Sequence, residues 1–456
     1  MDETICDNLA FMMPLPQIVT WTATWTVCVL VFLLILWRPW RIAEYVWAAA
    51  GAVLLLALRL IAPGDAWSAV RAGTGVYLFL AGMMLLAELA RQQGVFDWLA
   101  ELAMKYARGS QFRLFALVYG IGIVVTALLS NDATAVLLTP AVLAVVRRTR
   151  TSPLPYLFAC ACVANAASFV LPISNPANLV VFDGQIPPLG LWLHIFLLPA
   201  ICGISITFLV LWLHSRTDLR QPMTDLRPSM TDLRQPMENG VRPPALEPMG
   251  KRAGVGVLLA AAALLTVSAL GGPIGPATAA AGLAVMLFVA GGQWRVMMAA
   301  LRRISWGVIL LVAGLFVMVE ALKTVGALRL ATSGLEAAAR WPGFAGAAAT
   351  AFGFGLASNA INNLPTGLIG AAAVKAAHVA PYGAAHTSML THAAVLLGIT
   401  LGPNLSVTGS LATILWLTAL KREGIEVTGW QFLRVGFLVM PPALLLAVAV
   451  LTLTAR

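Results

Sequence analysis

The sequence predicts an all-α integral membrane protein with about ten transmembrane helices, arranged as two inverted five-helix repeats. Of the 456 residues, 60% are hydrophobic and 11% are charged, whereas about a quarter of the residues in a soluble domain are charged. Apolar runs of the roughly 20 residues that cross an acyl core recur along nearly the whole chain. The order of apolar runs and polar clusters in the first half also returns in the second half.

Eight of the predicted spans are continuous apolar runs, and two contain Pro- and Gly-rich breaks that predict discontinuous helices. No Lys or Arg precedes the first run, so we interpret it as a permanent span and not as a cleaved signal peptide. The continuous spans are predicted near residues 17–37, 42–62, 73–90, 190–213, 253–271, 276–292, 304–325 and 430–453, and the broken spans at 154–182 and 384–420.

Two further apolar stretches, 112–148 and 342–376, are interrupted midway by the polar sequences SNDAT and SNAINN. A polar, non-helical segment at membrane depth is tolerated only where buried protein or a water-filled cavity satisfies its backbone groups. We therefore expect each stretch to form a re-entrant hairpin with a polar tip.

The two halves of the chain are related by a constant sequence offset. Gly82 and Glu88 are matched by Gly314 and Glu320, each 232 residues later (314 − 82 and 320 − 88). Five spans per half is an odd number, so the second half enters the membrane from the opposite face, as in many secondary transporters. The predicted units are a first repeat at 1–213, a connecting loop at 214–252 and a second repeat at 253–456.

The positive charge is unevenly distributed along the chain. A formal net charge of +10 would also suit a nucleic-acid partner, but basic residues confined to one membrane face produce the same excess. With both interrupted stretches drawn as hairpins, most of the 29 Lys and Arg residues fall on one face, which is then cytoplasmic. We expect both termini outside and no nucleic-acid partner.

The loop 214–252 contains the heptapeptides TDLRQPM, TDLRPSM and TDLRQPM in tandem. Their Pro content excludes a coiled coil, and their alternating charges with few aromatic residues are typical of a flexible linker. We predict that this cytoplasmic loop carries no chemistry.

Four polar clusters occupy the hairpin tips and the breaks in the broken spans. Their Ser, Thr and Asn side chains supply both hydrogen-bond donors and acceptors, and no Lys or Arg lies among them. Such sites suit a small uncharged solute rich in hydroxyl groups, or a cation held by carbonyl oxygens, better than an organic anion. The predicted substrate-binding residues are Ser130, Asn131, Thr134, Ser174, Asn175, Asn178, Ser358, Asn359, Asn362, Asn363, Asn404, Ser406 and Thr408.

Asp132 is the only acid in these clusters. A carboxylate at membrane depth is costly, so an intramembrane acid is a functional hypothesis by default. We predict that Asp132 takes up and releases a proton in each transport cycle. His392, in the first part of the second broken span, is the second candidate for proton coupling.

The other titratable residues predict structural roles. Glu88 and Glu320 each have a base three residues later, Arg91 and Lys323, and this spacing on a helix favours interfacial ion pairs. The five cysteines lack metal-ligand spacing, and no nucleophile with a neighbouring base or phosphate loop is present. We expect no metal, no cofactor and no enzymatic activity.

The ordered motifs SNDATAVLLTP, PISNPANLVVF, SNAINNLPTGLI and GPNLSVTGSLATILW resemble the bacterial arsenite permease family of the ArsB type, within the ion transporter superfamily. The resemblance covers nearly all of the chain outside the loop 214–252. It implies efflux of arsenite or antimonite, as neutral trihydroxides, in exchange for protons across the bacterial inner membrane. It also implies an elevator mechanism and, in some members, a soluble ATPase subunit, and it leaves a homo-oligomer open.

Other functions stay open at this point. A sodium-coupled carboxylate importer or a sodium/proton antiporter of the same superfamily is the nearest alternative. A channel is another, because its flux would not need a titrating acid, whereas an intramembrane enzyme lacks a candidate site. The second tip has Ala360 and Ile361 where the first has an acid, so we expect proton coupling to rest on the first half.

Overall fold

The computed structural model describes residues 15–37, 39–149, 151–220, 246–341, 343–377 and 384–454. Over these ranges all regular structure is helical, which confirms the predicted all-α membrane class. Eight of the described helices are long and apolar enough to cross a membrane, and shorter apolar helices accompany them. The tandem heptapeptides lie mostly outside the described residues, so the prediction of a flexible linker is not addressed.

The described residues of the first half form ten α-helices. A π-helical segment, Ala133–Leu138, leads directly into α7, and irregular backbone separates α8 from α9. The helices are α1 (Leu15–Trp37), α2 (Glu44–Ala57), α3 (Pro63–Ala72), α4 (Thr74–Gln92), α5 (Val95–Ala107), α6 (Gln111–Leu128), α7 (Thr139–Arg147), α8 (Leu154–Ala166), α9 (Pro176–Val181) and α10 (Leu189–Ser215).

The second half contains the same sequence of helices. Two short 3-10 turns fill the break between its eighth and ninth members. The helices are α11 (Pro248–Ala269), α12 (Ile274–Ala290), α13 (Trp294–Arg303), α14 (Trp306–Thr324), α15 (Ala327–Ala339), α16 (Phe344–Ile361), α17 (Asn363–Ala376), α18 (Ala384–Leu401), α19 (Leu411–Arg422) and α20 (Gly429–Thr454).

Several corresponding helices of the two halves have the same lengths. The pair α4 and α14 has 19 residues each, the pair α5 and α15 has 13, and the pair α6 and α16 has 18. A shared order and shared lengths are what an internal repeat requires. The opposite membrane orientation of the halves and the re-entrant depth of the hairpins stay predictions.

Four short amphipathic helices, α3, α5, α13 and α15, lie where the sequence analysis placed only connecting segments. In α13 the side chain of Ala300 is buried, whereas Arg302 and Arg303 are exposed. One apolar stripe and one basic stripe are typical of a helix that lies along a surface. One predicted span is also shorter than expected, since α2 has 14 residues, whereas the sequence predicted a span over 42–62.

The halves pack against each other reciprocally. Helix α4 of the first half packs against α12 of the second, and α14, the counterpart of α4, packs against α2. The contact between α4 and α12 is so close that a Cβ atom on Gly82 would overlap the carbonyl group of Thr278. In the reciprocal contact between α14 and α2, a Cβ atom on Gly314 would lie 2.7 Å from the carbonyl oxygen of Ala48.

The two acids near the ends of α4 and α14 form the ion pairs that the sequence predicts. Arg91 donates two hydrogen bonds to Glu88, of 2.7 Å from Nε and 2.6 Å from Nη2. Lys323 Nζ lies 2.9 Å from Glu320 Oε2. These carboxylates are therefore already paired with bases on their own helices.

Candidate functional site

The first hairpin turns between α6 and the π-helical segment. Ser130 Oγ accepts a hydrogen bond from the backbone N–H of Ala133 at 3.1 Å, which closes the turn. Thr134 Oγ1 lies 2.7 Å from Thr126 Oγ1 and 3.4 Å from the carbonyl oxygen of Gly122, so it ties the two limbs together. π-Helical segments are rare and often accompany functional sites.

The second hairpin turns at Asn362, which has a positive φ of 76°. Its Oδ1 accepts from the N–H of Leu364 at 3.4 Å and caps α17, while its Nδ2 donates to the carbonyl oxygen of Thr408 at 3.4 Å. Helix α16 continues to Ile361. Ser358 and Asn359 therefore belong to the end of this helix. The hairpin reverses direction at Asn362, four residues after the start of the polar sequence at Ser358.

In the break between α8 and α9, side chains replace the missing helical hydrogen bonds. Asn178 Nδ2 donates to the carbonyl oxygens of Ser168, Leu171 and Pro172 at 3.1 to 3.2 Å. Ser174 Oγ donates to the carbonyl oxygen of Ala127 at 3.1 Å, which joins the break to α6.

The break between α18 and α19 is held mainly by Asn359. Its Nδ2 donates to the carbonyl oxygen of Gly402 at 2.9 Å, and its Oδ1 accepts from Ser406 Oγ at 2.6 Å. Thr408 Oγ1 donates to the backbone carbonyl of Asn359 at 2.6 Å. The buried Asn404 accepts at Oδ1 from Asn165 Nδ2 at 3.0 Å. A buried carbonyl without a partner is costly, and these bonds stabilise the irregular backbone.

Both hairpin tips and the starts of α9 and α19 meet around one small cavity. Its empty volume is about 270 Å³, which includes the space where it opens outward. Helices α4 and α14 contribute one apolar side chain each to its wall. The lining residues are Leu80, Asn131, Asp132, Asn175, Pro176, Val308, Asn363, Leu364, Ser410 and Leu411.

The lining comes from equivalent positions of the two halves. Asn175 and Ser410 are the residues that precede α9 and α19, and the two tips contribute Asn131 with Asp132 and Asn363 with Leu364. Side chains that lie far apart in the sequence thus share one site because each half supplies one tip and one helix start.

The predicted substrate-binding residues fall into two groups. Asn131, Asn175 and Asn363 line the cavity, as does Asp132. The others do not line it, and they hydrogen-bond to backbone or to neighbouring side chains of the tips and breaks: Ser130, Thr134, Ser174, Asn178, Ser358, Asn359, Asn362, Asn404, Ser406 and Thr408.

His392 does not line the cavity. Its ring stacks on Phe182, with 5.5 Å between the ring centroids and 15° between the planes. Phe182 follows the carboxyl end of α9, whereas the cavity lies at the amino end of the same helix. Of the two residues predicted to couple transport to protons, Asp132 lines the cavity and His392 does not.

Ser410 lines the cavity although the sequence analysis did not select it. After its break the first broken span resumes with NPANL and the second with SLATI, so aligning the two helix starts would have paired Ser410 with Asn175. The apolar residues Leu80 and Val308 had no distinguishing sequence signal, since they are two of many aliphatic residues on α4 and α14.

The electrostatics of the cavity are simple. Asp132 is the only ionisable residue in its lining, and its carboxyl group makes no hydrogen bond or ion pair within the described part of the chain. Two buried oxygen atoms in the lining, Asn131 Oδ1 and Ser410 Oγ, also lack a partner there. The cavity therefore offers unpaired donors and acceptors together with one acid, without a basic side chain.

A second, more apolar crevice adjoins this cavity. It has an empty volume of about 430 Å³ and lies between α1, α2 and α14 on one side and the second hairpin and α19 on the other. Leu364 and Leu411 line both spaces, so these two leucines separate the polar cavity from the crevice. Glu44 and Asn362 are the polar residues in the crevice wall.

Comparison with known proteins confirms the resemblance inferred from the motifs. A family model described as citrate transporter (CitMHS) matches residues 32–402. The arsenical pump membrane protein of Escherichia coli (strain K12) is 28% identical over 444 residues, which cover 93% of this chain and 97% of that protein. The protein of the same name from Yersinia enterocolitica is 27% identical, with 94% and 97% covered.

A solved structure also matches. The crystal structure of the Alcanivorax borkumensis YdaH transporter, described as having an unusual topology, superposes with a TM-score of 0.52. The match covers 93% of this chain and 98% of that one at 15% sequence identity. At this identity the likeness shows the fold alone.

Proposed function

The chain belongs to the citrate transporter (CitMHS) family of multi-pass membrane transporters, and we propose that it exports arsenite and antimonite from the cell in exchange for protons. The observation that carries the proposal is the composition of the cavity between the tips. It combines hydroxyl and amide groups with one carboxyl and contains no basic side chain.

This composition favours a neutral solute over a carboxylate. A carboxylate such as citrate is most often recognised by Arg or Lys, which form charge-assisted hydrogen bonds with it, and Asp132 would repel it. Arsenite and antimonite as trihydroxides are uncharged, and each hydroxyl group both donates and accepts. The relatives named arsenical pump membrane proteins match over nearly their whole length, which supports the same substrate class.

Asp132 is our candidate for the proton-carrying group. Its carboxyl lines the cavity without an ion-pair partner among the described residues, so it can take a proton from one side and release it on the other as the site changes exposure. One proton moving down about 150 mV supplies about 3.5 kcal/mol. That free energy sustains roughly a 300-fold outward gradient of a neutral solute.

The proposed movement is an elevator in the bacterial inner membrane. The two hairpins with α9 and α19 carry the cavity, and α2, α4, α12 and α14 form the scaffold against which they slide. The scaffold pairs cross at close range through small residues such as Gly82, which suits a rigid support. The exchange itself needs neither a soluble ATPase subunit nor a second copy of the chain, and both stay predictions of the resemblance.

Transport into everted membrane vesicles tests the proposal. Vesicles with an acidic lumen should accumulate arsenite and antimonite, and a protonophore that dissipates the pH gradient should abolish the accumulation. Citrate should neither be transported nor compete. Arsenite entry that persists without the gradient and stops at equal concentrations on both sides would indicate a channel, and the proton-exchange proposal would then be wrong.

A sodium-coupled carboxylate importer is the second candidate, favoured by the description of the family as citrate transporter. Purified protein in liposomes distinguishes it, because such an importer moves citrate only when sodium is present. The proposed exchanger moves arsenite with potassium as the sole alkali cation.

A further inference from the structure

Ser410 precedes α19, and its hydroxyl group has no hydrogen-bond partner in the described chain. The residue is 1% exposed, its Oγ atom is buried and unpaired, and it lines the cavity. An unpaired buried hydroxyl is costly to retain in a folded protein. A group that enters the cavity from outside the protein would offset this cost.

Its counterpart in the first half is used differently. Asn175 precedes α9, and its Oδ1 accepts a hydrogen bond of 2.9 Å from the N–H of Ala177. This is the usual capping arrangement at a helix start. Ser410 occupies the same position before α19, yet its side chain accepts no hydrogen bond from that helix.

Helix α19 therefore begins at the cavity without a side-chain cap. It has 12 residues, and the first N–H groups of a helix have no partner within the helix and carry partial positive charge. Together with the Ser410 hydroxyl they form a cluster of donors on the side of the cavity that belongs to the second half.

The side that belongs to the first half offers acceptors. Asn131 is 3% exposed, and its Oδ1 atom is buried without a partner. Asp132, the next residue, faces the same cavity with an unpaired carboxyl group. The cavity is thus polarised, with acceptors at the first hairpin tip and donors at the start of α19.

We infer that Ser410 and the uncapped start of α19 bind the transported solute, by donating hydrogen bonds to an oxygen atom of a small neutral trihydroxide whose own hydroxyl group donates to Asn131. This inference rests on the proposed function and adds to it the residue that selects the substrate. Ser410 discriminates against solutes without an oxygen acceptor, and it acts by binding and not by carrying the proton.

Binding measurements on the purified full-length protein test this role. Isothermal titration with arsenite and with antimonite is compared between wild type, Ser410→Ala and Ser410→Thr. We expect Ser410→Ala to weaken binding by about five- to tenfold, the effect of one hydrogen bond. Ser410→Thr retains the hydroxyl group and should bind within about twofold of wild type, because no hydrogen bond is lost.

Thermal unfolding without solute separates binding from structure. Ser410→Ala removes no hydrogen bond within the protein, so its melting temperature should equal or exceed that of wild type. Asn175→Ala removes the cap of α9 and should melt at a lower temperature. If Ser410→Ala also melts lower, or binds arsenite as tightly as wild type, the inference is wrong. If wild type itself binds neither solute, the proposed function fails instead.

Discussion

The two halves of the molecule share a backbone plan but differ in the side chains that reach the cavity. Each half supplies a hairpin tip, a helix start and a scaffold helix of matched length. The first half brings Asp132 and a helix capped by Asn175, whereas the second brings the neutral Asn363 and the uncapped Ser410. The repeat therefore builds the cavity from matched parts, and substitutions within it leave one half with a carboxyl group and the other with an unpaired hydroxyl group.

The largest expected effect is the loss of coupling in Asp132→Asn. Asparagine keeps the shape of the side chain but cannot titrate, so the roughly 300-fold gradient that one proton sustains should fall to about one. Arsenite accumulation in acidic everted vesicles measures this. Asp65→Asn is the matched control, because Asp65 is an exposed residue of α3 that does not line the cavity.

Moving the acid to the other half tests whether a carboxyl group on either tip can couple transport to protons. The variant Asp132→Asn/Asn363→Asp places one carboxyl in the same cavity from the equivalent tip. We expect it to regain part of the gradient-driven accumulation that Asp132→Asn lacks, since a titrating group again faces the solute. The variant Asn363→Asp alone keeps Asp132 and loses no coupling, so only the double variant shows whether the second tip can supply the titrating group.

The scaffold should be less tolerant than the cavity. Gly82→Ala places a methyl group against the backbone of α12, which cannot move aside as a side chain does, and we expect a loss of about 3 kcal/mol in stability. Thermal unfolding of the purified protein measures it. Gly120→Ala is the control, since no atom lies within 4 Å of its added Cβ, and equal melting of the two variants would contradict the prediction.

The breaks should depend on their asparagines. Asn178→Ala removes the donor shared by three carbonyl oxygens of the first break, and we expect a loss of about 2 kcal/mol because buried acceptors stay unpaired. In the second break Asn359→Ala removes bonds to Gly402 and Ser406 and should have a similar effect. A melting temperature unchanged in Asn178→Ala would show that water replaces the side chain.

The smallest effects are expected at two reciprocal surface ion pairs. Arg147 at the end of α7 pairs with Glu423 after α19 at 2.9 Å, and Lys375 in the last turn of α17 pairs with Asp183 after α9 at 3.3 Å. Arg147 also donates to the backbone carbonyl of Glu423, and this pair is the less exposed one. We expect Arg147→Gln to cost about 1 kcal/mol and Lys375→Gln less than about 0.5 kcal/mol, both reduced by salt.

Much of the fold could be predicted from the sequence. The apolar runs, the matched offset of Gly82 and Gly314, and the acid–base spacing at Glu88 and Glu320 are local or periodic signals. The amphipathic helices α3, α5, α13 and α15 were not predicted because they contain no long apolar run and alternate apolar and charged residues within ten to thirteen positions.

The candidate site was only partly predictable. The sequence identified the polar clusters but could not tell Asn178, which bonds to the backbone of the break, from Asn131, which faces the cavity with an unpaired oxygen. Both are asparagines beside a discontinuity in the chain. Aligning the two helix starts would have matched Ser410 with Asn175, but no local pattern shows that the Ser410 hydroxyl group has no partner among the described residues.

By itself the sequence determined that this protein lies in a membrane, that its two halves repeat one plan, and that polar residues interrupt its helices at four places. Hydrophobic runs, residue composition and the constant offset between the two halves determine these properties, and all three can be recognised from the order of residues along the chain. The packing of the helices determines which polar side-chain atoms hydrogen-bond to the backbone and which line the cavity without a partner among the described residues. A hydrogen bond depends on partners such as Ala127 for Ser174, 47 residues apart, and only the packed chain brings them within reach.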